Sequence, residues 1–181
     1  MSKPRFGIGI DLGTTHSAVS FVEIAKCEGD EVEQQMLGIP QLIDPGSVEA
    51  RTMLPSFLYL PHPDEIKSAD LSLPWPSEPG RIVGELARKQ GASTPIRLVS
   101  SAKSWLCHPD VDRKAPILPP DVPGDIPQIS PFDAGVAYLT HLCEAWNGLH
   151  GFDPLGDQDV TVTVPASFDP AARELTAEAA R

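Results

Sequence analysis

The sequence predicts an α/β fold, on the evidence of the periodicity of its strands and the caps of its helices. Residues 5–11 and 17–24 alternate small and apolar residues around a turn, which is typical of paired strands. A strong helical pattern begins at Ser130. A further alternating stretch, residues 159–164, leads directly into a capped helix. This succession favours a mixed sheet with flanking helices.

The predicted strands lie mostly in the first third of the chain. Gly13, followed by Thr14 and Thr15, forms the tight connection between the first two strands. Residues 35–43 indicate a weaker third strand, and residues 56–60 indicate a short fourth.

Two stretches, residues 61–80 and 109–131, are rich in proline. Proline removes a backbone donor and fixes φ, so neither stretch can form a central strand or a helix interior. We therefore expect both to be surface loops.

The clearest helix begins at Ser130, which suits the N-cap position. Pro131 suits the first helical position, and Asp133 stands where a capping-box acid would. Apolar residues then recur at helical spacing and predict a buried stripe: Val136, Leu139, Leu142, Cys143, Trp146 and Leu149. Gly148 and Gly151 offer a stop.

The last predicted strand, residues 159–164, is closed by Pro165. A helix capped by Asp169, with Pro170 after it, then continues to the end of the chain. Because Arg181 stands in a segment that is still helical in pattern, we expect the chain to be a truncated part of a larger domain.

The composition excludes several classes of function. Of 181 residues, 41% are hydrophobic, and 25 acidic residues against 14 Lys and Arg give a net charge of −11. Such acidity repels phosphate backbones and anionic membrane surfaces, so we expect neither nucleic-acid nor membrane binding. The N-terminus has no secretory pattern, and no run approaches the roughly 20 apolar residues that span a bilayer, so a cytoplasmic location is expected. Three distant cysteines (Cys27, Cys107 and Cys143) favour reduced thiols over a zinc site or disulfides.

The segment from Gly7 to Thr15 carries the predicted chemistry. A dinucleotide fingerprint needs its third glycine one position earlier and a helix after it, and a Walker A loop needs Gly-Lys-Ser/Thr, so both are excluded. Gly13 lacks a Cβ, which lets backbone N–H groups approach phosphate oxygens, and Thr14 adds a hydroxyl, as does Thr15. Asp11, at a strand end, can orient water on Mg²⁺. On this segment alone, an ordinary hairpin with an incidental aspartate is an equally good interpretation.

Several segments form a recognisable series along the chain. They are Gly9-Ile10-Asp11-Leu12-Gly13-Thr14-Thr15, Arg51-Thr52-Met53-Leu54-Pro55-Ser56-Phe57, Val83-Gly84-Glu85-Leu86-Ala87-Arg88-Lys89-Gln90 with Ser101-Ala102-Lys103-Ser104-Trp105-Leu106, and Val162-Thr163-Val164-Pro165-Ala166-Ser167-Phe168. In this order they resemble motifs of the seventy-kilodalton heat-shock chaperone (DnaK-type) family. The resemblance implies the actin-like ATPase (ribonuclease H-like) fold. Residues 1–181 would form the first, N-terminal lobe of a nucleotide-binding domain, with a small outer subdomain at roughly 51–130.

The resemblance also implies roles for single residues. Asp11 would position Mg²⁺ through a water molecule. Gly13, Thr14 and Thr15 would hold the β- and γ-phosphates of ATP or ADP. Lys103 would lie near the γ-phosphate and orient the attacking water, a task that suits a cation because phosphoryl transfer depends on positioning and charge stabilisation. The intact protein would use Mg-ATP hydrolysis to control its binding of unfolded peptide clients, together with co-chaperones.

Pro165 and Arg173 match an interdomain switch in the family. Three residues depart from the family pattern. His16, next to the glycine bend, replaces Asn or Tyr, and close to Pro165, Ser167 replaces an aromatic residue and Asp169 replaces Asn. The last two weaken the assignment of the switch. We expect His16 to make a polar contact or to be a packed ring rather than to act as a catalytic base.

Several family motifs do not occur: the second phosphate motif, the Asn-Glu-Pro-Thr segment with its catalytic glutamate, the adenosine-binding motif and the peptide-binding domain. The chain would then hold half a cleft, so we expect it neither to bind ATP tightly nor to hydrolyse it. A sugar or acid kinase of the same fold and a non-catalytic scaffold relative remain as alternatives. Val164-Pro165-Ala166 favours the chaperone over the kinase, and the retention of Asp11 and Lys103 argues against the scaffold.

Overall fold

A mixed sheet and the helices packed on it form the body of the protein. The computed structural model describes residues 3–27, 32–76 and 80–181. The strands are β1 (Phe6–Leu12), β2 (His16–Glu23), β3 (Gln35–Met36), β4 (Ile39–Asp44), β5 (Ser47–Arg51), β6 (Leu54–Pro55), β7 (Leu58–Tyr59), β8 (Ile82–Val83), β9 (Leu98–Val99) and β10 (Asp159–Thr163). The α-helices are α1 (Glu85–Ser93), α2 (Ala102–Leu106), α3 (Pro131–Leu149) and α4 (Pro170–Ala179).

The main sheet has β1 at its centre. β1 pairs antiparallel with β2 and parallel with β10, and the order is β10-β1-β2-β3, with β6 also on β2. The predicted strands at 5–11, 17–24 and 159–164 are therefore confirmed within one or two residues. The predicted mixed α/β class is confirmed as well.

One face of β1 forms the core, because strict alternation places its large side chains on the same side. These buried residues are Phe6, Ile8, Ile10 and Leu12. Trp146 of α3 is fully buried against them, with its ring 5.3 Å from that of Phe6 and stacked 3.8 Å from that of His150. The Phe21 ring of β2 contacts the same indole edge-on at 5.2 Å. This aromatic cluster fixes α3 on the sheet.

The start of α3 is as predicted, and its apolar stripe is partly different. The Ser130 hydroxyl accepts a hydrogen bond from the Asp133 N–H at 2.9 Å and donates to the Asp133 carboxylate at 2.7 Å. Leu149, predicted to be buried, is exposed, because the helix has passed the edge of the core by its last turn. Gly148 lies inside the helix rather than after it, and the His150 N–H caps the end on the Trp146 carbonyl at 2.8 Å.

The predicted third strand, residues 35–43, is wrong as a single element. β3 belongs to the main sheet, whereas β4 pairs with β5 in a separate hairpin. Pro40 has no N–H to donate, so this segment cannot be an interior strand of a larger sheet. Gly46, with φ of +74°, makes the turn between β4 and β5.

The predicted fourth strand, residues 56–60, is confirmed as the shorter β7, and β6 lies just before it. β6 continues the main sheet, and β7 is the middle strand of a three-stranded sheet of order β8-β7-β9. The chain passes from one sheet to the other at Ser56.

Where the structure describes them, the proline-rich stretches lack long regular elements, as predicted, but they are not wholly on the surface. Leu118 and Ile129 are buried and exchange backbone hydrogen bonds of 2.9 and 2.7 Å. In the first stretch, Ser68–Leu71 forms a 3-10 turn and the Trp75 ring meets His141 of α3 edge-on at 5.2 Å. Residues 77–79 of that stretch lie outside the described residues.

The three cysteines (Cys27, Cys107 and Cys143) are free thiols, as predicted. Among the described residues, no helix has the length and apolar character needed to cross a bilayer.

Candidate phosphate-binding site

The bend between β1 and β2 consists of Gly13, Thr14 and Thr15. A Cβ on Gly13 would lie 2.0 Å from the carbonyl oxygen of His16, far inside van der Waals contact. Gly13 does not have a positive φ, so it is the close approach of the returning chain that requires glycine here. Both threonines are exposed. The structure therefore brings these predicted phosphate contacts together on one solvent-facing bend.

Asp11 lies beside this bend, near the carboxyl end of β1. It is opposite Thr163 in the parallel pairing of β1 and β10, and the Thr163 hydroxyl donates to its carboxylate at 2.9 Å. Parallel strands place their carboxyl ends at the same edge of a sheet, which is where α/β proteins bind ligands. The carboxylate is thus oriented by a neighbouring strand and remains exposed to solvent.

Lys103 reaches the bend from the first turn of α2, 91 positions away in the sequence. Its amine donates a hydrogen bond to the carbonyl of Leu12, the residue between Asp11 and Gly13. The same amine lies 5.6 Å from the centre of the Phe168 ring. Burial lowers the pKa of Lys103, and the negative charge of Asp11 acts in the opposite direction. The predicted cation and the predicted carboxylate therefore lie on the same bend.

Ser56 is a residue of this site to which the sequence analysis gave no role. Its N–H donates to the carbonyl of Thr15 at 2.9 Å, and its hydroxyl donates to the carbonyl of Gly13 at 2.8 Å. The hydroxyl of Ser17 lies 3.0 Å from that of Ser56. The sequence showed it only as one residue of the segment 51–57 that resembles a family motif, because a contact across 43 positions leaves no local pattern.

Pro165 lies in the turn that follows β10, and Arg173, near the start of α4, reaches back to that turn. The Arg173 guanidinium donates to the carbonyls of Phe168, at 3.0 Å, and Ala166, at 3.1 Å. The Phe168 N–H in turn donates to the Pro165 carbonyl at 3.1 Å. Phe168 is also the ring that faces the Lys103 amine, so this turn is in direct contact with the site.

Two residues that depart from the family pattern, His16 and Asp169, lie outside the candidate phosphate-binding bend. His16 is exposed and lies, with Arg51 and Glu85, around an open groove of about 450 Å³, so it is not a packed ring. Asp169 caps α4 and forms a two-pronged ion pair with Arg113 at 2.6 and 3.0 Å. That guanidinium, with the N–H group at the start of α4, lowers the pKa of Asp169 to about 2.

A small cavity of about 20 Å³ lies behind the bend. Gly13 and Lys103 border it on one side, and Tyr138 of α3 borders it on another. The Tyr138 hydroxyl is buried, and within the described part of the chain it has no hydrogen-bond partner. Burial raises the pKa of this hydroxyl.

Comparison with known proteins gives consistent relatives. No family model matches the chain. The chain is 28% identical over 189 residues to the chaperone protein HscA of Pectobacterium carotovorum subsp. carotovorum (strain PC1) and 30% identical over 190 residues to HscA of Xenorhabdus nematophila. It is 29% identical over 186 residues to the HscA homolog of Burkholderia ambifaria. Each match covers 98% of this chain and 25% of the relative.

The chain thus spans about a quarter of the length of the curated relatives it matches. Nearly all of its residues take part in the match, including the bend and the turn after β10. The similarity to the seventy-kilodalton heat-shock chaperones that the motifs predict is confirmed over nearly the whole chain, at 28–30% identity.

Proposed function

We propose that this chain is the phosphate-gripping lobe of a chaperone ATPase with the actin-like fold. The intact protein would bind and hydrolyse Mg-ATP to control its binding of unfolded peptides, with co-chaperones acting on the cycle. One observation carries the proposal: an exposed carboxylate, a glycine bend and a lysine amine converge at the carboxyl edge of one sheet. The relatives named HscA support the chaperone class.

The bend fits a phosphate group in its shape. Gly13 faces the carbonyl of His16 so closely that no side chain fits, which keeps the backbone of the bend bare. Backbone N–H groups on such a bare turn can approach anionic oxygens directly. The exposed hydroxyls of Thr14 and Thr15 add donors at the same place.

Asp11 fits the requirements of a magnesium ion. Mg²⁺ keeps most of its waters and binds proteins through one or two carboxylates together with phosphate oxygens. In the described ranges, no cluster of three or more His, Cys, Asp or Glu side chains could enclose a metal, so a single oriented carboxylate is the available mode. When bound, Mg²⁺ would neutralise negative charge on the phosphates. A hydrogen bond from Thr163 restrains the orientation of the Asp11 carboxylate.

Lys103 supplies the positive charge of the site. Its amine is held between the Leu12 carbonyl and the Phe168 ring, which restricts it to the bend before any ligand arrives. An ammonium group has three donors, so donors remain for a phosphate oxygen or for the attacking water. A charge fixed in advance stabilises a transition state better than one that must reorganise.

The turn that contains Pro165 would act as the switch to the rest of the protein. Phe168 connects this turn to Lys103, and Arg173 stabilises it through two backbone carbonyls. A change at the phosphate end of the site could therefore alter the turn through one ring contact. The small outer subdomain, roughly residues 51–130, would form the wall of the cleft.

The proposal is tested by titrating the isotopically labelled chain with Mg-ATP and following its amide resonances. We expect millimolar binding, because the chain offers one half of a cleft, with shifts confined to residues 11–16 and the start of α2. Asp11→Asn and Lys103→Ala should each abolish the shifts, whereas Lys67→Ala, at an exposed lysine of the 61–80 stretch, should not. Micromolar affinity would contradict the half-site interpretation, and the absence of any shift would contradict the phosphate role.

A further inference from the structure

Ser56 holds the bend at two points. Its N–H and its hydroxyl reach the carbonyls of Thr15 and Gly13, the last and the first residues of the bend, at 2.9 and 2.8 Å. We infer that Ser56 is a positioning residue that sets the direction of the phosphate-binding N–H groups of the bend. The inference rests on the proposed phosphate-binding function.

The direction of the hydrogen bonds follows from the number of protons. A serine hydroxyl has one proton, and a backbone carbonyl can only accept, so Ser56 must donate to Gly13. Ser17, 3.0 Å away, must then be the donor to the Ser56 oxygen. Ser17 is fully buried and Ser56 is 2% exposed, so water does not compete for either hydroxyl. Consecutive hydrogen bonds in a buried site polarise and strengthen one another.

The geometry of the peptide bond connects this clamp to phosphate binding. In a trans peptide unit the C=O of one residue and the N–H of the next lie in one plane and point in opposite directions. Because the Gly13 and Thr15 carbonyls point toward Ser56, the N–H groups of Thr14 and His16 must point away from it. Ser56 therefore fixes two donors without touching the ligand that they would bind.

The position of Ser56 explains why the clamp is rigid. Ser56 stands where the chain passes from β6, on the main sheet, to β7, in the three-stranded sheet. Pro55 pairs with His16 on one side of it, and the Phe57 carbonyl accepts from the Gly84 N–H at 3.0 Å on the other. The serine is thus anchored through both sheets.

A second buried serine provides the matched control. Ser130, 1% exposed, caps α3 and makes a comparable pair of hydrogen bonds, both to Asp133 and neither to the bend. If Ser56 had only a structural role, Ser56→Ala and Ser130→Ala would differ in stability alone. If it positions the bend, only Ser56→Ala should alter the bend.

The test has a part without ligand and a part with ligand. In the free chain, ¹⁵N relaxation should show the order parameters of Thr14 and Thr15 falling from about 0.85 toward about 0.6 in Ser56→Ala, with no change in Ser130→Ala. Ser17→Ala, which removes only the second bond, should cause a smaller loss. In a titration with magnesium pyrophosphate, Ser56→Ala should weaken binding by roughly 3- to 10-fold, the effect of one lost hydrogen bond.

The outcomes separate the inference from the proposed function. Unchanged order at the bend in both Ser56→Ala and Ser17→Ala would overturn the inference, as would an equal loss in Ser130→Ala. If wild type failed to respond to pyrophosphate while the bend still loosened in Ser56→Ala, the phosphate function would be wrong and the clamp would stand. If Ser56→Ala does not fold, Ser17→Ala decides by the same measurement.

Discussion

Replacing Gly13 with alanine should damage both the sheet and the site. The added Cβ would lie 2.0 Å from the His16 carbonyl oxygen, whereas ordinary contacts begin at 3.4 Å, so the two strands must separate by about 1.4 Å at the bend. The obstacle is backbone and cannot rotate away. Overpacking of this kind costs about 1–3 kcal/mol. For a protein of this size each kcal/mol lowers Tm by about 2–4 °C, so we expect a decrease of roughly 2–12 °C.

The matched control is Gly148→Ala in the last turn of α3, where an added Cβ has open space. That change should raise stability by about 0.4–1 kcal/mol, because alanine loses less conformational freedom than glycine on folding. Thermal unfolding measured by circular dichroism compares the two variants, and a magnesium pyrophosphate titration reports on the site. If Gly13→Ala matched Gly148→Ala in Tm and kept its pyrophosphate response, the requirement for a bare bend would be refuted.

Three other predictions concern His141, Asp169 and Tyr138. Burial lowers the pKa of His141 to about 4 from 6.5, so as the pH falls the unfolded chain takes up a proton before the folded one does. The free energy of unfolding should therefore fall by about 3 kcal/mol between pH 6.5 and 4. Urea unfolding should show a smaller decrease over this range for His141→Gln. Arg113 holds the pKa of Asp169 at about 2, so the ion pair stabilises the fold fully above pH 3.8, and this stabilisation is lost as the pH falls toward 2. Arg113→Gln should therefore lower Tm at pH 7 and make Tm depend less on pH between 3.8 and 2. Tyr138→Phe should be neutral or stabilising by up to about 1 kcal/mol, because it removes a buried hydroxyl that has no partner among the described residues. Tyr59→Phe breaks a 2.7 Å hydrogen bond to Glu65 and should cost about 1–2 kcal/mol. Equal losses of stability in the two variants would contradict this account.

The elements that the sequence predicted correctly are those whose signals are local. The alternation of β1, the capping serine of α3 and the capping aspartate of α4 each act within a few residues, and tertiary contacts did not override them. α1 was not predicted because it begins after Gly84, at φ +90°, rather than after a capping side chain. β5 was not predicted because all of its residues are exposed, which removes the alternation that marks a strand.

In the candidate site, too, the residues with local signals were the ones that the sequence could predict. Asp11 and the bend form a continuous segment and could be selected from their residue types. Lys103 could be placed beside them only through resemblance to a family, because 91 positions separate it from Leu12 and a lone lysine has no pattern of its own. Ser56 lies in a segment that resembles a family motif, but it has no charge, and its inferred function depends on backbone carbonyls that the sequence does not display.

The positions of two tryptophans give the protein its own optical reporters. Trp146 is enclosed between the sheet and α3, so its emission should respond when the helix separates from the strands. Trp105 is on the short helix that carries Lys103, and its ring is stacked 5.7 Å from His108 near the surface. Fluorescence from single-tryptophan variants could therefore distinguish unfolding of the body from a local rearrangement beside the bend, without any attached dye.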